Sequence, residues 1–242
     1  MPREPLLELS GVHTHIGRYH ILQGVDLVVP EGGVTVLLGR NGAGKTTTLR
    51  TIMGLWGASK GEIRFAGSSL LATDTPGRAQ AGIAFVPENM GVFTDLTVRE
   101  NMILAARDGA PDPARLRKIF ALFPPLETFW ALPAGNLSGG QKQMLAIARA
   151  IVEPRRLILI DEPTKGLAPA IVKSLVAALQ ELKRTDTTIL LVEQNFAMAK
   201  AVGDTVAMMD DGRVVHAGAM ADLAADRALQ EKLMGLSLET HG

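Results

Sequence analysis

Gly39-Arg40-Asn41-Gly42-Ala43-Gly44-Lys45-Thr46 fits the pattern G-x4-G-K-[ST]. Glycine-rich backbone of this kind can fold round phosphate oxygens, with successive N–H groups and a helix N-terminus aimed at the anion. Lys45 is placed to reach the β- and γ-phosphates, the Thr46 hydroxyl to coordinate Mg²⁺, and Thr47 joins the same nucleotide-binding set. The plain alternative is a Gly-rich strand–helix turn with a chance lysine, and the strand before and helix after weigh against it. The dinucleotide pattern G-x-G-x-x-G is absent.

Two further stretches can do chemistry. Leu157-Ile-Leu-Ile-Asp161-Glu162 is an apolar run closed by two acids. A buried strand would deliver Asp161 to its carboxyl edge, where ligands bind in open α/β sheets, to hold the Mg²⁺ shell. Glu162, one residue further, is placed to polarise an attacking water. In isolation a solvated acidic turn is as good a reading; a phosphate loop upstream favours catalysis. Leu137-Ser138-Gly139-Gly140-Gln141 precedes a helical pattern. Ser138 and Gln141 read as a capping box. Two glycines in a first turn cost about 1 kcal/mol each against Ala, which suggests that something approaches the backbone there closely, as at a second anion site.

Elements must hold these pieces. Short apolar, β-branched runs predict strands at 6–12, 34–38, 83–86, 157–160, 188–192 and 205–209. Longer periodic stretches predict helices at 46–53, 97–107, 113–122, 139–152, 168–183, 196–202 and 219–234. Strands alternating with helices imply an α/β fold with a mostly parallel sheet. Asp210-Asp211-Gly212 reads as a hairpin turn. From about Glu88 to Gly135 the strand signal vanishes and helices dominate, broken at Phe123-Pro124-Pro125. The expected organisation is one domain over 1–242: an α/β core of 1–87 and 154–242, with a helical subdomain at about 88–153 carrying the Ser-Gly-Gly-Gln segment.

Composition narrows the rest. The 242 residues carry 25 Lys+Arg against 25 Asp+Glu, 47% hydrophobic residues and no Cys. A balanced charge argues against gripping nucleic acid through a broad basic face. Absence of Cys excludes disulfides, Fe–S ligands and thiol nucleophiles, and suits a reducing cytoplasm. Early prolines and an acid, Met1-Pro2-Arg3-Glu4-Pro5, with no long apolar run behind them, predict no secretion leader. No apolar run approaches the roughly 20 residues of a membrane span. The histidines, His13-x-His15 and His241 among them, show no metal-ligand spacing with acids.

A phosphate loop, the phrase Leu-Ser-Gly-Gly-Gln and an aliphatic run closed by Asp161-Glu162, in that order, resemble the ATP-binding subunit of an ABC transporter. The resemblance implies a P-loop NTPase core with antiparallel strands on its N-terminal side. It implies ATP and Mg²⁺ as ligands, and a head-to-tail dimer in which Ser138, Gly139, Gly140 and Gln141 of one subunit close over ATP held at Lys45 of the other. It also implies that Tyr19, the only Tyr, stacks on adenine, that Arg40, Asn41 and Ala43 belong to the nucleotide cradle, and that Glu88 stands near the metal. Gln194 stands where most relatives have a switch His, and Glu88 where most have Gln. With Gly166-Leu167-Ala168-Pro169 and Val192-Glu193-Gln194-Asn195, these departures are similar to the branch serving branched-chain amino acid uptake and its amide or urea relatives. That branch often has Glu where this chain has Gln141. Its implied partners are integral-membrane permeases, a second ATPase and, indirectly, a solute-binding protein, with the chain peripheral on the cytoplasmic face of the membrane. Glu162 is expected to carry base catalysis and Gln194 to orient. Two other readings stay open: a soluble ABC ATPase of the cluster-assembly type, and a nucleotide-dependent regulatory module that does not hydrolyse.

Overall fold

A computed structural model describes residues 4–184 and 187–234; Met1, Pro2, Arg3 and His241 lie outside the described residues. The chain opens with β1 (Pro5–Ile16) and β2 (Tyr19–Pro30), an antiparallel pair. Strand β3 (Gly33–Gly39) then enters the centre of the molecule, its residues 33–38 all buried, and runs into α1 (Lys45–Ile52). The second half of β4 (Ala58–Phe65) buries Ile63 and Phe65 against β1, and β5 (Ser68–Ser69) closes a four-stranded antiparallel sheet, order β2-β1-β4-β5. The sequence pattern marks only the start of this sheet. In β2 and β4 one face is half solvated, and a shift of register interrupts the alternation in β1, so their period-two signal is weak.

A short α2 (Thr75–Gln80) leads to β6 (Ile83–Val86). The helix is capped by Asp74, whose side chain accepts from the Gly77 N–H at 2.9 Å. Its Arg78 is buried beneath the end of α1. The guanidinium donates to the carbonyls of Thr51 and Ile52 at 2.8 Å, Leu70 at 2.7 Å and Thr73 at 2.8 Å. Replacing Arg78 by Ala takes a donor from all four carbonyls, of which Thr51 keeps the Gly54 N–H at 3.0 Å and Leu70 the Thr73 N–H at 3.0 Å. We expect a loss of about 2–4 kcal/mol, read by calorimetry as a Tm lowered by roughly 5–12 °C.

Helices alone follow: α3 (Val98–Ala105), α4 (Pro113–Leu122), α5 (Pro124–Thr128) and α6 (Gly139–Ile151). The Phe123-Pro124-Pro125 break is a helix start as well as a stop. A proline in the first turn loses no hydrogen bond, so α5 begins at once. Then β7 (Leu157–Asp161), α7 (Pro169–Lys183), β8 (Thr188–Glu193), α8 (Phe196–Val202), β9 (Thr205–Asp210) and β10 (Arg213–Ala219) complete the main sheet. Its order is β10-β9-β3-β8-β7-β6, parallel except for the β9–β10 hairpin. Asp211 and Gly212 both have positive φ, the turn expected there. The helix expected at 219–234 is two: α9 (Met220–Ala225) and α10 (Arg227–Met234). Asp226 divides them because its carboxylate accepts from the Leu229 N–H at 2.9 Å and so caps a new helix.

Alternation along the parallel strands gives the sheet an apolar face on each side. Val36, Leu38, Ile158, Ile160, Ile189 and Leu191 join a cluster with the helices, Met102, Phe123, Leu145 and Leu179 among them. Leu37, Leu157, Leu159, Leu190 and Val192 join the antiparallel sheet and α1 in the other. Phe93 and Leu104 of the helical region stay exposed, whereas Met102 is buried. Among the described residues no helix is long and apolar enough to cross a membrane.

Candidate active site

Four neighbouring parallel strands each bring one part to the carboxyl edge of the sheet. β3 brings the loop 39–46, β8 brings Gln194, β7 brings Asp161 and Glu162, and β6 brings Glu88. The loop turns on an Ala43 N–H to Arg40 carbonyl bond of 3.2 Å, and Gly44, with φ 103°, caps the N-terminus of α1. Its glycines are there for different reasons. A side chain on Gly39 would run into the Met209 carbonyl, so that glycine serves the packing of β9. Gly42, at φ 83°, has nothing within 4 Å of where a Cβ would stand, and leaves the backbone open to an incoming anion. The hairpin turn supports the loop from behind, with the Gly212 N–H donating to the Ala43 carbonyl at 3.0 Å.

Lys45 is buried, donates to the carbonyls of Gly39 at 2.9 Å and Arg40 at 3.0 Å, and lies 3.3 Å from Glu162 Oε1. The Thr46 hydroxyl donates to Asp161 Oδ1 at 3.1 Å. Asp161 Oδ2 is buried without a partner, and the carboxyl is pushed up to about 6 by burial, against the Thr46 hydrogen bond and with the help of the Glu162 and Glu88 charges. A buried carboxylate oxygen with no donor, beside a hydroxyl, fits a hard cation with oxygen ligands. Asp161 and Thr46 are the residues that would hold Mg²⁺.

Glu162 is a non-glycine residue in the left-handed region, φ 44°, a conformation that clusters at functional sites. Gln194 Nε2 donates to Glu162 Oε1 at 2.6 Å and to Asn41 Oδ1 at 2.7 Å, so one amide ties the acid to the phosphate loop. Glu193 went unremarked as a site residue in the sequence. It is buried, accepts from the Thr164 hydroxyl at 2.7 Å and from the Gln194 N–H at 3.2 Å, and so ties the loop after β7 to the loop after β8. Burial raises its pKa, opposed by these hydrogen bonds. Only its place at the end of an apolar strand, matching that of Asp161, could have marked it.

A cavity of about 350 Å³ joins these parts, lined by Asn41, Gly42, Gly44, Lys45, Thr46, Thr47, Glu88 and Glu162, together with Ile21 and Lys165. Neither Tyr19 nor Ser138–Gln141 lines it. Tyr19 is exposed, with the Arg18 guanidinium 5.3 Å from the centre of its ring. Ser138 and Gln141 form the capping box, the Ser138 N–H donating to Gln141 Oε1 at 2.9 Å. A side chain on Gly140 would run into Ile171 of α7, so this glycine has a reason inside its own chain. Exposed Gly139 has none beyond Leu167 Cδ2 at 4.0 Å. Of the two glycines, one therefore remains to mark an external approach.

Residues 22–165 match the family described as ABC transporter. The chain is 35% identical over 232 residues to the high-affinity branched-chain amino acid transport ATP-binding protein BraG of Pseudomonas aeruginosa, covering 95% of this chain and 100% of that one. It is 34% identical over 220 residues to a probable branched-chain amino acid transport ATP-binding protein, LivF, of Archaeoglobus fulgidus, covering 90% and 93%. A solved ATP-binding subunit of an ABC transporter matches with TM-score 0.79 at 30% identity, over 93% of this chain and 94% of that one. The ADP conformation of an ATP-binding cassette matches in fold with TM-score 0.82 at 24% identity, over 96% and 100%. A phosphate loop and two strand-end acids meeting on one sheet edge, in a chain with these full-length relatives, leave one conclusion: the protein belongs to the ABC transporter family, as one of its ATP-binding, ATP-hydrolysing cassettes.

Proposed function

We propose that this chain is the ATPase subunit of an importer for branched-chain amino acids or related small amides, working at the cytoplasmic face of the cell membrane. The observation that carries the hydrolytic part is Glu162, a buried carboxylate within reach of Lys45 and braced by Gln194. The solute class rests on BraG and LivF, which resemble the chain over most of its length.

ATP seats its phosphates on the loop 39–46, and Lys45 turns from Glu162 to the phosphate oxygens. A water oxygen attacks the γ-phosphorus in line with the bond to the β–γ bridging oxygen; Glu162 orients the water and takes its proton, and ADP leaves with the bonding pair. When bound, Mg²⁺ supplies positive charge among the phosphate oxygens. Gln194 holds Glu162 against Asn41 and thereby fixes the direction of proton transfer. Ser138 and Gly139, exposed and away from this cavity, are free to close over ATP bound to a second ATPase subunit, with Gly140 and Gln141 shaping the helix start behind them. Tyr19 offers an open ring face to adenine. In this reading the whole chain acts as one unit, the core carrying the phosphate site and the helical part, residues 88–153, meeting the permease.

The test is isolation of the tagged chain from gently solubilised membranes of its native cells. Polytopic permeases, a second ATPase and a solute-binding protein should come with it. Soluble scaffold proteins alone would overturn the transport role and leave the ATPase chemistry standing.

A further inference from the structure

We propose that Lys165 is a second cation of the nucleotide site, which holds Glu88 by an ion pair and cancels its charge, so that a carboxylate can stand beside a triphosphate. This rests on the ATPase reading above and extends it to a residue outside the recognised motifs.

The chain places Asp161, Glu162 and Glu88 around the place where phosphates must sit. Each added carboxylate repels the incoming anion in a partly desolvated cavity, where charges are less screened than in water. Lys45 already serves two carbonyls and Glu162. The other cation of the cavity lining is Lys165, with Nζ 2.5 Å from Glu88 Oε1 and 3.8 Å from Glu162 Oε2. An exposed pair of this kind adds little to folding, typically about 0–1 kcal/mol, so its placement asks for another reason.

The segment carrying Lys165 is also built rather than loose. Its N–H donates to the Glu162 carbonyl at 3.2 Å, and the preceding Thr164 is clamped by buried Glu193. The backbone at Lys165 is therefore held close to the strand-end acids, within reach of its side chain. Glu88 and Lys165 together present the phosphate site with a neutral pair, one end of which can still accept a hydrogen bond from water.

The test compares Lys165→Met, Glu88→Gln and the double variant in the full chain. The probe is the non-hydrolysable ATP analogue adenylyl imidodiphosphate, its binding measured by calorimetry in EDTA and in excess Mg²⁺; thermal melts check folding. Lys165→Met should weaken binding about tenfold in EDTA and less in Mg²⁺, where the metal supplies competing positive charge. Glu88→Gln added to it should restore binding to within about threefold of wild type. Unchanged binding by Lys165→Met, with wild type binding normally, would sink this proposal alone. A double variant as weak as Lys165→Met would also overturn it, because Lys165 would then act without Glu88. A wild-type chain that does not bind the analogue at all would overturn the ATPase reading and this proposal with it.

Discussion

Glu162→Gln should bind ATP at least as tightly as wild type and turn it over roughly 10²–10⁴-fold more slowly, the range a positioned general base contributes. Of the two carboxylates lining the cavity, Glu162 is the one that lies beside Lys45 and is aimed by Gln194, and so the one placed to take a proton from water while Lys45 is occupied by phosphate. Binding should not suffer, since the substitution also removes the anion now paired with Lys45 at 3.3 Å. Gln194→Ala should be milder. It removes two hydrogen bonds that aim Glu162 but no proton acceptor, a loss of about 1–1.5 kcal/mol in orientation, or near tenfold in kcat. Phosphate release and equilibrium ATP binding on the two variants decide it. Equal, complete losses from both would show that the amide, and not the acid alone, takes part in the chemistry.

Asp161→Asn should remove a loss of stability that the nucleotide-free protein suffers as pH rises above about 4, and should leave the enzyme nearly dead. The Asp161 carboxyl ordinarily ionises near 3.8 and is pushed up to about 6, chiefly by burial. Between those values the folded chain holds the proton more tightly than the unfolded chain, so folding stability falls as pH rises from about 4 to about 6 and stays lower above it. The gap corresponds to roughly 3 kcal/mol. An Asn at this position, neutral at every pH, keeps the acceptor for Thr46 and avoids that cost, but buries an amide where Oδ2 has no partner, a penalty of about 1–3 kcal/mol that does not vary with pH. In EDTA the wild-type melting point should fall by roughly 5–10 °C relative to the variant's between pH 4 and pH 8. Turnover with Mg²⁺ should fall by about 10²-fold or more, as expected when a charge positioned for the transition state is lost. A melting-point difference that stays the same from pH 4 to pH 8 would mean that ionised Asp161 costs the fold nothing.

The readable part of this chain is the part written locally. Gly39–Thr46 is contiguous, and an apolar strand ending in Asp161-Glu162 needs no partner to be noticed. The parallel strands stand out because both faces are covered and most of their residues are apolar, with the polar ones such as Thr188, Thr205 and Asp161 at strand ends. Strands β2 and β4 hide because half their side chains meet water, and α2 and α5 because each is a single short turn or two opened by proline. What the sequence does not show is approach across the fold. Lys165 meets Glu88 across 77 positions, and Glu193 meets Thr164 across 29, with no spacing rule to announce either. The glycine pair in Ser-Gly-Gly-Gln looked like one signal and is two, because the cause of Gly140 lies on another helix.

That contact has a consequence for how two copies or two related cassettes would work together. Ile171 fills the place a side chain on Gly140 would need, and it sits in the first turn of α7, directly after the segment that carries Glu162. The surface at Ser138 and the carboxylate at Glu162 are therefore joined through one tight packing contact and a few residues of chain. In a head-to-tail pair of the kind proposed above, a nucleotide closing on Ser138 of one subunit would press on the same piece of structure that carries that subunit's own Glu162. Any coupling carried this way between two ATP sites would, by linkage, run equally in both directions.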